Sequence, residues 1–330
     1  MINSSAPGKF VVMGEHAVVY GKPALALAID MRFTLRMALG KTFRVNGKPA
    51  TSATMSPHMK WISQAHGNKP VSVFIDGRVP TGSGLGSSAA LSAAYSGAVR
   101  QLCGASIDHE SVAREAYEAE FAAQGRGSPM DTSAAVNGGG IALNVPYKKE
   151  DFLWHIEKNE HSWDISRFDV PEMTFVIGNT GIKASTGPLV EKVRKYREES
   201  ELAYNIVEEI GQLTLEGMDC ITKNDWVGLG TLMSYNHRLL TILGVSCPEL
   251  DSLVEAALPT SFGAKLTGSG GGGCMVALTE KPEETAAAIR DAGGTPYIVR
   301  TGVPGLEVRQ RDKKPAAGQK GKYKTVGKSD

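Results

Sequence analysis

Residues 80–90 read PTGSGLGSSAA. Gly82, Gly84 and Gly86 alternate with small residues, and Ser87-Ser88-Ala89-Ala90 then opens an alanine- and serine-rich run reaching Leu102. Glycine lets a backbone approach an anion closely and take positive φ. A helix starting at Ser87 would aim free N–H groups and the positive end of its dipole at the loop. The stretch therefore reads as a phosphate cradle, with a plain strand-to-helix turn as the bland alternative. It is neither a Walker A loop, since G-x-x-x-x-G-K-[ST] occurs nowhere in the chain, nor G-x-G-x-x-G.

Around this loop the chain reads as α+β. Ile29–Leu39, IDMRFTLRMAL, alternates apolar and polar residues, the pattern of a strand with one wet face. Further strands are expected at residues 9–13, 71–75, 140–145, 173–177, 274–278 and 297–300. Helices are expected at residues 87–102, 108–124, 186–199, 201–219, 224–243 and 282–292. The order is not a regular β-α-β-α alternation, which argues against a Rossmann or TIM architecture and for two lobes with a cleft between them. The expected division is 1–168, 169–308 and a basic tail at 309–330. From Arg309 onward eight basic residues face two acids, net +6, while the whole chain carries +1. With little apolar material this tail is expected to be disordered.

Composition, 42% apolar and 22% charged, is that of an ordinary globular protein. The cysteines Cys103, Cys220, Cys247 and Cys274 form no C-x-x-C pair and no zinc-spaced cluster. Neither a signal peptide nor a run of about 18 apolar residues is legible, so the expectation is a cytoplasmic protein with reduced thiols and no membrane or nucleic-acid partner.

Two more glycine-bearing segments and a pair of acids complete the candidate site. APGKFVVMGEHAVVYGKPALA at residues 6–26 sets Lys9 at a strand start and Glu15-His16 after a glycine. KLTGSGGGGCMVAL at residues 265–278 runs four successive glycines into an apolar strand, which calls for close backbone contact rather than a linker. Glu120 falls on the helix at 108–124. Asp131 follows in GSPMD among turn formers, where an Asx-turn or cap is the bland alternative. Two carboxylates near a phosphate loop suit one metal ligand and one base.

Taken together, these segments resemble the GHMP kinase superfamily and, within it, the mevalonate kinases, most of all the archaeal type. Three motifs stand in order, EFAAQGRGSPMDTSAAVNGG at 120–139 is similar to the family's catalytic-aspartate segment, and NTGIKASTGPLVEKVR at 179–194 to its substrate-side strand and helix. The resemblance implies a ribosomal-S5-like N-terminal ATP-binding lobe and a C-terminal lobe of antiparallel sheet and helices. It implies transfer of the γ-phosphoryl of ATP to the 5-hydroxyl of (R)-mevalonate, with Asp131 as base and Lys9 assisting. ATP would be held by Pro80, Thr81, Gly82, Ser83, Gly84, Leu85, Gly86, Ser87, Ser88 and Ala89. Ser88 and Glu120 would ligate Mg²⁺, and Glu15, His16, Val19 and Thr186 would serve the acceptor. The adenine pocket is sought within residues 46–66, and a homodimer is left open. Another small alcohol, such as phosphomevalonate or a sugar, is the alternative acceptor; a GHMP-fold binding protein without catalysis is the alternative of a different class.

Overall fold

The computed structural model describes residues 1–51, 55–80, 82–125, 127–183 and 186–310. Thr81 and residues 311–330 of the basic tail lie outside the described residues. The described chain builds two antiparallel-rich sheets with helices against them. The larger sheet contains β1 (Ile2–Met13), β2 (Ala24–Leu39), β3 (Arg44–Val45), β4 (Lys48–Pro49), β5 (Val71–Gly77), β6 (Gly140–Leu143), β7 (Phe152–Lys158) and β8 (His161–Phe168). Its helices are α1 (Pro57–Ala65), α2 (Ser87–Cys103), α3 (His109–Gln124) and α4 (Met130–Asn137). The smaller sheet has order β10-β11-β9-β12, where β9 is Thr174–Asn179, β10 Gly263–Thr267, β11 Cys274–Leu278 and β12 Thr295–Arg300. With it go α5 (Thr186–Glu199), α6 (Glu201–Lys223), α7 (Trp226–Ile242), α8 (Pro248–Ala257) and α9 (Pro282–Asp291).

The axis of the larger sheet is β2. Its first half pairs with β6 and its second with β5, while β1 runs along its other side. Ala24–Ile29 is buried throughout, and only from Asp30 does the strand alternate between wet and dry faces. The alternation therefore marks only the half-covered end, and a fully covered strand carries no such pattern. Leu39, grouped by alternation with the inward residues, is 62% exposed at the strand end. Strand β1 likewise starts at Ile2 rather than Lys9, because a register shift at Pro7/Gly8 carries the ladder past a proline and glycine that read as a turn.

The last strand, β13 (Glu307–Gln310), returns from the second sheet to pair with β1, Arg309 opposite Asn3 and Gln310 opposite Ile2. Arg309 and Gln310 are thus sheet residues and not the start of a disordered tail; their ladder hydrogen bonds come from distant Ile2–Ser5, which local composition cannot reveal. Between α6 and α7 the reading also shifts. Asn224, expected to start a helix, instead ends α6 in the left-handed conformation at φ 55°, and Asp225 caps α7 through Gly228 N–H.

The lobes are joined through their cores. Phe10 of β1 packs against Phe175 of β9 in a tilted pair, with ring centroids 4.7 Å apart and an interplanar angle of 59°. The Thr267 hydroxyl of β10 accepts from Val11 N–H at 2.9 Å and donates to Val11 O at 3.1 Å. These contacts lie beneath the cleft, where they align the glycine segments of both lobes. Among the described residues no helix is long and apolar enough to cross a membrane.

Candidate active site

A cleft of about 450 Å³ opens where the two lobes meet. One wall is the loop Gly82–Gly86 with the first turn of α2; the other is Thr267–Gly273, with Thr186 at the rim. Gly86 takes φ 69° and precedes the helix, whose first bond runs from Ala90 N–H to Gly86 O at 2.9 Å. The N–H groups of Ser87, Ser88 and Ala89 therefore have no partner inside the helix and stand at the positive end of its dipole. A Cβ at Gly86 would meet Lys9 Cγ at 3.0 Å, so glycine here provides both the left-handed turn and room for that side chain.

Lys9 enters from β1. It is 4% exposed, and its Nζ lies 3.0 Å from Asp131 Oδ1 and donates to Gly84 O at 3.0 Å. Asp131 sits in the first turn of α4, not in a turn: Pro129 takes the cap position and the helix starts directly after it. Its carboxylate thus faces the helix end that favours negative charge, and at 44% exposure it remains open to the cleft. An anion held on one side by a dry ammonium and exposed on the other is placed to accept a proton from an incoming hydroxyl.

Glu120 of α3 and Ser88 of α2 converge, Ser88 Oγ donating to Glu120 Oε2 at 3.0 Å. Ser92 donates to Oε1 at 3.2 Å and the Gln124 amide to Oε2 at 2.7 Å, while His58 Nε2 lies 3.2 Å from Oε1. The hydroxyl and carboxylate form a small oxygen donor set beside the helix N-terminus, which fits a hard divalent cation that keeps its remaining positions for phosphate and water.

The remaining expected site residues separate into two groups. Thr186 lines the cleft, its Oγ1 3.3 Å from Ser269 Oγ. Of the loop, Gly82, Ser83, Gly84, Gly86, Ser87 and Ser88 line it as well, whereas Leu85 is fully buried and contributes its carbonyl to Lys9 N–H at 3.0 Å. Pro80 accepts a hydrogen bond from Ser83 Oγ at 2.8 Å, and Ala89 is buried. Glu15, expected against the acceptor, instead meets Lys265 in a fully buried ion pair and accepts from Asn236 Nδ2 at 3.2 Å. Burial pulls the Lys265 ammonium below its ordinary range, with Glu15 opposing that shift. Val19 packs half-buried against the core in a 3-10 turn, Ala17–Tyr20, off the cleft wall.

His16 also lies beneath the cleft wall, at 5% exposure and φ 61°, a conformation uncommon outside glycine. Its Nε2 is 3.0 Å from Ser269 O. A carbonyl only accepts, so Nε2 carries the proton. Burial lowers the pKa of the imidazole, which stays neutral and leaves Nδ1 a buried lone pair with no partner among the described residues.

Sequence reasoning missed His58, Gln124 and Lys265 as members of this region. Lys265 opens the third glycine segment and could have been matched to a buried acid. Nothing local marks His58, which α1 carries to Glu120 across a gap of 62 positions. Ser56, Pro57 and His58 are the part of 46–66 that lines the cleft.

The chain matches the sequence pattern of the GHMP kinases N terminal domain over residues 55–139 and of the GHMP kinases C terminal domain over residues 218–298. It is 36% identical to a mevalonate kinase of Pyrococcus furiosus over 344 aligned positions, covering 93% of this chain and 98% of that protein. Among solved structures it is similar to L. major mevalonate kinase in complex with R-mevalonate (TM-score 0.76, 25% identity, 90% of this chain and 94% of that one). It is also similar to the Methanococcus jannaschii mevalonate kinase (TM-score 0.73, 27% identity, 91% and 98%). With a glycine loop at a helix N-terminus, a lysine–aspartate pair on the same wall and relatives matching over more than nine-tenths of its length, the chain belongs to the GHMP kinase family.

Proposed function

We propose that the protein is a mevalonate kinase, transferring the γ-phosphoryl group of ATP to the 5-hydroxyl of (R)-mevalonate. The observation that carries the reading is the Lys9–Asp131 pair, dry on the lysine side and open on the aspartate side, beside a helix N-terminus shaped for phosphate. Phosphoryl transfer asks little covalent work of a protein; positioning and charge stabilisation dominate. The N–H groups of the Gly82–Ser88 loop hold the phosphates. Asp131 takes the proton of the acceptor hydroxyl, and Lys9 orients that hydroxyl and offsets the charge that develops on it. Thr186 stands at the rim where the acceptor enters, and His16 supports the wall beneath it through Ser269 O.

Ser88 and Glu120 would hold Mg²⁺, which when bound neutralises charge on the transferring phosphates. Ser88 donates its proton to Glu120 Oε2, so the hydroxyl lone pairs stay available for this role. The N-terminal ATP-binding domain is taken as 1–168, ending with β8, and the C-terminal domain as starting at 169, with β13 given back to the first. Four cysteines without disulfide partners accord with a cytoplasmic enzyme.

The test is ATP consumption over a panel of alcohols including (R)-mevalonate, phosphomevalonate and galactose, with the position of the new phosphate assigned by ³¹P NMR. Phosphorylation of C5 of mevalonate at a kcat/KM well above the others is expected. A preference for another alcohol replaces the acceptor, and no ADP release with any of them rejects the reading.

A further inference from the structure

The cleft is lined by the Asp131 carboxylate, with Glu120 behind Ser88, and among the described residues its lining includes no lysine or arginine. Lys9, just beneath, is committed to Asp131 and Gly84 O. A polyphosphate entering this space would meet backbone dipoles and the Ser88–Glu120 oxygens but, among the described residues lining it, no side-chain cation from its own lobe. The opposite lobe offers one. A Cβ placed on Gly82 would lie 3.7 Å from Lys183 Cγ and 3.8 Å from both Cδ and Cε, so the Lys183 stem lies across the first glycine of the loop. The ammonium at its end has no ionic or hydrogen-bonding partner among the described residues, and the residue is exposed.

The backbone that delivers Lys183 is anchored. Gly273 N–H donates to Ile182 O at 2.8 Å, and Thr180 donates to Gly273 O from both its N–H and its hydroxyl, each at 2.9 Å. Ile182 N–H in turn donates to Thr180 Oγ1 at 3.2 Å. Gly272, at φ 133°, allows this approach: a Cβ there would stand 2.8 Å from Ile182 O. Gly273 also abuts the loop, since a Cβ on it would be 3.2 Å from Ser83 O. The third glycine segment thus fixes the start of the 180–183 turn against the phosphate loop, while the lysine side chain keeps its rotamer freedom above it.

We propose that Lys183 is a nucleotide-phosphate ligand supplied by the C-terminal lobe: its ammonium closes over the β- and γ-phosphates held at Gly82–Ser88. A lysine serves as a mobile point charge rather than a fixed fork, and it is therefore suited to reach across a cleft that must also open for exchange. The inference rests on the reading of the loop as an ATP site.

The experiment compares Lys183→Met and Lys183→Arg with the wild type in binding ATP, ADP and adenosine, by calorimetry with Mg²⁺ and without acceptor. Lys183→Met should lower affinity for ATP about tenfold, the change expected from about 1.4 kcal/mol of lost binding. It should lower ADP affinity less and leave adenosine and the melting temperature unchanged. Lys183→Arg should recover most of the loss, and raised salt should weaken the wild type more than Lys183→Met. Equal ATP affinity in Lys183→Met and wild type overturns the proposal. So does a loss equal for ATP and adenosine, which would mean a damaged loop. Wild-type protein that binds ATP but phosphorylates no alcohol would sink the kinase reading while leaving this comparison intact. Wild type with no ATP affinity overturns both.

Discussion

Two lysines of this protein lie out of water against a carboxylate, and they do opposite things. Lys9 is 4% exposed and its partner Asp131 is 44% exposed. Lys265 is fully buried and its partner Glu15 is 1% exposed. The first pair is a half-open anion at the mouth of a cleft. The second is sealed between the lobes, with Asn236 on Glu15 and the Leu266 carbonyl accepting from Lys265 at 2.7 Å. The network continues from Leu266 N–H to His237 Nδ1 at 3.3 Å, and His237 Nε2 lies 3.2 Å from Asp251. Both carboxylates stand in segments that read as catalytic. Solvent access divides them: a carboxylate surrounded by protein cannot meet a substrate, while one with a wet side can. Glu15 accordingly supports the floor on which His16 and Ser269 stand.

Removing the open carboxylate should have the largest effect. Asp131→Asn is expected to lower kcat by about 10³-fold or more, at the upper part of what a positioned base contributes, with ATP affinity and fold retained; turnover near wild type would remove Asp131 from the chemistry. Breaking the sealed pair should act on stability instead. Lys265→Met strands a buried carboxylate and is expected to cost about 3–5 kcal/mol in urea unfolding. The double change Lys265→Met with Glu15→Leu should recover a large part of that. If the two single changes simply add, the pair is not coupled and the distinction between the sites collapses.

A third change probes the donor set beside the open pair. Glu120→Gln should move the Mg²⁺ dependence of turnover to higher concentration, with little change in melting temperature, because Ser88, Ser92 and Gln124 retain an oxygen to bond. An unaltered Mg²⁺ titration would exclude Glu120 as a ligand. The smallest effect is set by a carboxylate that belongs to neither pair. Asp108 caps α3 by accepting from Ser111 N–H at 2.9 Å, and that bond leads in pulling its carboxyl down to about 2. A folded-state pKa below the unfolded one stabilises above the ordinary carboxylate range, and the benefit fades as pH falls through about 2. Asp108→Ala should lose about 1 kcal/mol at pH 7, and wild type and variant should converge in acid; a gap independent of pH would assign the loss to something other than the charged cap.

Much of the candidate site was legible before the fold. The Gly82–Ser88 loop, Lys9, Glu120 and Asp131 each stood out because their residue types are poor choices for their surroundings unless something binds there. The helix start at Ser87 and the cap at Asp108 were readable because capping is local. The β7–β8 hairpin, α1, α4, α8 and β10 were not read as elements. Their residues, such as Phe152–Lys158, carry mixed patterns resolved only by what covers each face. The buried partner of Glu15 was illegible for a related reason: a carboxylate after a glycine looks the same from the sequence whether its partner is a substrate or a lysine 250 positions away.

The sequence by itself determined the glycine loop, its helix, the order of the three glycine segments and the candidate acid and lysine, since backbone conformation and side-chain chemistry are properties of short stretches. Only the tertiary structure decided which carboxylate faces water, which lysine is free to meet a phosphate, and that β13 closes the first sheet. Those depend on burial and on distances between residues remote in the chain, and both follow from packing one lobe against the other.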